Sequence, residues 1–164
     1  MSRMTDLSHT LWRQRRLLEH LLYRVEVQHL MLAANRTRWI ATATRDVEHV
    51  MEQLRAEELT RAVQVAGVSA ELGLGDEPSL AQLIASAPSP WDEILREHHA
   101  AFLAMTSELE ELTRHNRELL TRGYHATREL LAAITDGPLQ AGGYSSAGSS
   151  TSFRPPPSTI DRVV

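Results

Sequence analysis

Hydrophobic and polar positions alternate along this chain with helical periods almost throughout. Met4, Leu11, Leu18, Val25, Leu32 and Trp39 are spaced by seven, and Leu7, Leu17, Leu21 and Leu22 fill the adjacent face. That pattern predicts one amphipathic helix over residues 6–34. Around AANRTRW the phase changes, and the next stripe runs Ile40, Ala43, Val47, Val50, Leu54. A break between Asn35 and Thr37 accounts for the shift, and the second helix runs to Leu72, where Gly73 and Gly75 stop it. PSLAQLIASAP, residues 78–88, reads as a short helix whose Ser79 and Gln82 form a capping box. SPWDE opens the last helix, with Ser89 as cap, Pro90 at the first helical position, and Asp92 and Glu93 in the electropositive first turn.

The last helix carries a seam of alternating three- and four-residue steps: Leu95, His98, Phe102, Met105, Leu109, Leu112, Asn116, Leu119, Gly123, Ala126, Leu130, Ala133. Such a seam packs lengthwise against other helices. It runs to about Thr135, giving roughly 67 Å of helix, against about 42 to 50 Å for the first two. The last helix is therefore too long to be covered along its whole length. An amide at 116 and a bare backbone at 123 weaken the seam near that point. Asn116 reads as a register device, because a polar seam residue disfavours wrong alignments. Beyond it Leu119, Leu120, Tyr124, Leu130, Leu131 and Ile134 still form a broad apolar surface. A surface of this kind on an overhanging helix either dimerises or awaits a partner helix.

From Gly137 the chain becomes Gly/Ser/Pro-rich, and a disordered tail over 137–164 is expected behind a helical domain at 1–136. The expected fold is all-α: an elongated antiparallel bundle of three long helices plus a short one, with coiled-coil-like packing. Core packing is the role expected for Trp39.

Composition narrows function further. The 164 residues are 42% hydrophobic but only 5% aromatic, with Leu and Ala dominating, as helices prefer. No cysteine is present, so disulfides and thiolate metal sites are excluded. All seventeen Lys/Arg residues are arginine, which reads as coding bias rather than phosphate binding. A net charge of −4 opposes general nucleic-acid binding. Residues 67–112 hold nine acids and one arginine, whereas both flanking stretches are mildly basic. No apolar run reaches membrane-span length and the start lacks a signal core, so a cytoplasmic location is expected.

The one enzymatic constellation worth weighing is Glu26–Val–Gln–His29, a Glu-x-x-His pair of the kind used by di-iron helical bundles, with Asp46–Val–Glu–His49 as a near match. Ligands of such a site project into the core. Here Glu26 follows seam residue Val25 around to solvent, His29 is at best flanking, and His49 points away from the second seam. His98–His99 lacks the i, i+4 spacing of a metalloprotease helix, and Gly73–Leu–Gly75 is too short for a phosphate loop. No catalytic, metal or cofactor site is expected.

The order of LWRQRRLLEHLL, LMLAANRTRWIATATRDVEHVMEQLR, AELGL, PSLAQLIASAPSPW, a long helix with HNRELL and a tail with GGYSSAG resembles FlgN-type flagellar export chaperones, in their high-GC Gram-positive form. The resemblance covers essentially the whole chain. Its best markers are Asn116 followed by Leu119–Leu120, and Tyr144 followed by Gly148. It implies a cytoplasmic protein, a monomer or weak homodimer, that binds the helical terminal regions of hook-associated junction proteins and brings them to the export gate. The implied cargo face is Asn116, Leu119, Leu120, Gly123, Tyr124, Leu130, Leu131 and Ile134, and the implied gate-docking residue is Tyr144. The alternative is a helical scaffold that self-associates through the same stripe.

Overall fold

The computed structural model describes residues 2–136, and among these the regular structure is entirely α-helical. The expectations for the tail and for Tyr144 lie outside the described residues. Four helices follow in order: α1 Arg3–Ala33, α2 Thr37–Leu72, α3 Leu80–Ser86 and α4 Trp91–Asp136. The α1–α2 turn has Asn35 at φ 51°, a left-handed conformation that Asn tolerates better than most residues. That single reversal produces the change of hydrophobic phase seen around AANRTRW. The α2 stop is Gly73 at φ 67°, whose N–H and that of Leu74 both reach Ser69 O. Ser69 Oγ then donates to Gly75 O at 2.7 Å, tying the turn back to the helix.

α3 begins as expected: Ser79 Oγ accepts from Gln82 N at 3.2 Å, and Gln82 Oε1 accepts from Ser79 N at 2.8 Å. The start of α4 differs from the expectation. Ile94 N donates to Pro90 O at 3.3 Å, so Pro90 stands at the boundary and Trp91 is the first helical residue. Ser89 sits in the preceding turn instead of capping.

Interhelical pairs define the topology. Arg3–Glu71 at 2.9 Å and Arg24–Asp46 at 3.3 Å show α1 and α2 as an antiparallel hairpin. Trp12 meets His98, and Val25 O accepts from Asn116, so α4 runs parallel to α1 and antiparallel to α2. α1 packs against both long partners, and α3 closes the base against α4. Two apolar clusters hold this together. At the base Met4, Leu7, Leu11, Val68, Leu83 and Leu95 are buried, with Trp91 and Phe102 packed on them. Higher up Leu21, Val25 and Val50 are buried against Val47, Leu54, Leu109 and Leu112. Between the clusters the contacts turn polar: Gln14 Nε2 donates to Glu58 at 3.1 Å and Arg13 pairs with Glu57.

Trp39 corrects an expectation. Its side chain is 48% exposed, with Arg38 over the ring at 4.7 Å. It lies in the first turn of α2 at the hairpin tip, with its ring left open to solvent and a guanidinium over one face.

Candidate functional site

The α1–α2 hairpin ends well before α4 does. Asn116 is the last fully buried residue of α4, Leu119 and Leu120 are half-buried, and every residue from Thr121 to Thr135 is exposed. The exposed stretch 121–135 is about four turns, or roughly 22 Å. Its apolar residues keep the azimuth of the seam below. At ~100° per residue Gly123, Thr127, Leu130 and Ile134 fall close to the line of Asn116, with Leu120, Tyr124 and Leu131 on one side and Leu119 on the other. The stripe that α1 covers lower down thus continues without a covering helix. Tyr124, Leu130, Leu131 and Ile134 are 56–66% exposed. A Cβ at Gly123 would meet nothing within 4 Å.

Asn116 marks where cover ends. Its Nδ2 donates to Val25 O at 3.1 Å and to Gln28 Oε1 at 3.2 Å, and its Oδ1 lies 2.8 Å from His29 Nδ1. An amide oxygen only accepts, so His29 Nδ1 carries the proton there. The buried amide is satisfied on three sides by two turns of α1, which holds α4 in one register. Of the eight residues implied for the cargo face, Asn116 is therefore internal at 3% exposure. Leu119 and Leu120 lie at the boundary. Gly123, Tyr124, Leu130, Leu131 and Ile134 stand in the open.

The pair His29 and Gln28 was missed as functional partners of Asn116. Their signal in the sequence was the seam amide itself, since a buried Asn needs two donors' and two acceptors' worth of company. His29 belongs to that network and Glu26 is exposed. His49 is exposed on α2. These residues thus do not converge as metal ligands, and among the described residues no three His, Asp or Glu side chains gather as a metal would require.

His98 is a second polar seam residue. It is 1% exposed, edge-on to Trp12 at 5.0 Å and stacked on Phe102 at 6.2 Å. Neither ring nitrogen has a hydrogen-bond partner among the described residues. Burial, and next the Arg15 guanidinium, lower its pKa from the ordinary 6.5, with Glu97 acting the other way. The lowered pKa favours the neutral imidazole, in keeping with its place among the core aromatics. Two clefts, of about 340 and 630 Å³, lie between α1 and α2 and are lined mostly by charged and polar side chains; neither includes α4.

Among the described residues the helices leave this stripe uncovered, and comparison with known families places the chain. The FlgN protein family model matches residues 1–152. The chain belongs to the FlgN family. FlgN proteins are flagellar export chaperones, so the overhang sits in a protein whose trade is holding other flagellar proteins. No curated protein and no solved structure matched the chain. No described helix of this FlgN-family chain is long and apolar enough to cross a membrane.

Proposed function

We propose that the chain binds the helical terminal regions of hook-associated junction proteins on the uncovered end of α4. It keeps them from assembling early and delivers them to the flagellar type III export gate in the cytoplasm. The observation that carries this reading is the four-turn overhang, whose apolar stripe repeats the azimuth that α1 occupies in the bundle. Segments that form helical packing in a finished filament expose similar stripes before assembly. One helix can cover another there by helix-in-groove recognition, with no chemistry required. The face comprises Gly123, Tyr124, Leu130, Leu131 and Ile134, edged by Leu119 and Leu120. Asn116 acts behind it, setting the register. Tyr144 supplies the contact to the gate, as an aromatic anchor separate from the cargo face.

Leu130→Asp tests the cargo face. Binding to a purified junction protein, read by calorimetry, is expected to vanish while the thermal midpoint stays within a degree or two of wild type. Unchanged binding by that variant sinks the reading. Tyr144→Ala tests the gate contact: export should fail at unchanged cargo affinity, and normal filament assembly would remove Tyr144 from the mechanism. Self-association through the stripe is the competing reading, and a stable dimer that ignores junction proteins would establish it.

A further inference from the structure

The open stripe lies at the basic end of a charge-polarised molecule. The top of the hairpin, residues 27–45, and the upper half of α4, residues 113–136, are brought to one end by the contacts of Asn116 with Gln28 and His29. Together these segments hold seven arginines against three acids, whereas residues 2–26 and 46–112 hold eight arginines against seventeen acids. Most arginines of the acidic body are neutralised across or along helices, as in Arg3–Glu71, Arg13–Glu57 and Arg24–Asp46. At the open end Arg36, Arg38, Arg117 and Arg128 have no ion-pair partner among the described residues. Arg117 and Arg128 are eleven residues apart, so they fall within about 20° of each other on α4 and roughly 16 Å apart along it. Both border the side of the stripe that carries Tyr124 and Leu131. Arg36 and Arg38 sit at the hairpin tip, where a helix laid on the overhang would end.

From this we infer that the overhang selects amphipathic helices whose apolar stripe is edged by carboxylates on one side and whose hairpin-facing end is acidic. The inference rests on the reading of the overhang as a cargo-binding face, and it adds the charge of the cargo. The apolar stripe supplies contact area to any amphipathic helix, and the guanidiniums decide between helices of equal apolarity. A basic-flanked helix would face four like charges, and like charges across an interface are a strong means of rejection.

Two synthetic helical peptides of about four turns test it, identical in their leucine stripe but carrying glutamates or lysines along one flank. With the full-length chain at low salt the glutamate peptide is expected to bind about tenfold tighter, from a few partly exposed pairs of modest strength each. The gap should close near 1 M salt, where the screening length falls to about 3 Å. Arg117→Glu with Arg128→Glu, both exposed positions, should reverse the preference at unchanged helical circular dichroism. Equal affinity for the two peptides, preference for the lysine peptide, or failure of both to bind overturns the inference. A junction protein held equally by wild type and R117E/R128E also overturns it, leaving the functional proposal standing. Preference for the glutamate peptide in a chain that ignores junction proteins supports it and sinks that proposal instead.

Discussion

The lower and upper parts of α4 present one stripe with opposite fates. Below Asn116 the stripe is core: Leu95 and His98 are nearly inaccessible, and Leu109 and Leu112 close over Val25 and Val50. Above Leu120 the same azimuth carries Leu130, Leu131 and Ile134 into solvent. Residue type is alike in the two halves, so the hydrophobicity of α4 does not separate the covered stretch from the open one. What separates them is the length of the hairpin, which ends about four turns too soon. An apolar residue contributes to folding only where something covers it, and the upper half of α4 therefore adds little to the stability of the bundle.

Substitution can break this comparison, and the largest effect is expected at the base. Leu7→Ala or Leu95→Ala should lower unfolding free energy by about 2 to 5 kcal/mol, because both side chains are fully enclosed. Leu130→Ala should change it by less than about 0.5 kcal/mol, since the residue is mostly exposed. Chemical denaturation of the three variants decides the matter, and equal losses would erase the division between the halves.

The boundary residue comes next. Asn116→Leu strands the His29 and Gln28 groups and should cost about 1 to 3 kcal/mol. His29→Ala removes one arm of the network and should cost less. In a double-mutant cycle the two losses should be strongly non-additive, and simple additivity would mean that the hydrogen bond at 2.8 Å carries nothing. The network also gives a structural partner to His29, read from the sequence as at best flanking the seam.

Gly123→Ala sharpens the comparison from the open side. A methyl there meets nothing, so helix propensity alone should favour Ala by up to about 1 kcal/mol locally. Amide exchange in the overhang should slow while the global denaturation midpoint hardly moves.

The smallest signal is expected from His98. Its folded pKa is lowered, so below 6.5 the unfolded chain takes up the proton more readily than the folded one. Stability from this group is therefore present above 6.5 and is lost as pH falls from there toward the depressed folded value. Melting at stepped pH should show wild type losing stability on acidification relative to His98→Phe. Parallel pH profiles would place the histidine outside the core.

The periodic pattern was enough to place four helices within three residues of their observed bounds at every end, because burial is periodic in a helix and each break had its own chemistry. Asn35, Gly73 and Ser79 acted locally, through backbone conformation or a side-chain cap, and local effects are legible residue by residue. The overhang was also legible, since it follows from comparing helix lengths. What the chain alone could not settle was which helix lies beside which and at what level. The pairing of Asn116 with His29, 87 positions away, depends on α4 running parallel to α1, and that direction is set by α3 and its turns at the base. Hence Asn116, read as a register device, was also counted in the implied cargo face, and Trp39 passed for core: a seam position says where a side chain points, but only the packed neighbours say whether anything is there. The sequence by itself determined the helices, their apolar stripes and the surplus length of the last one. The tertiary structure decided where cover stops, because burial is a property of two surfaces and a sequence pattern describes only one.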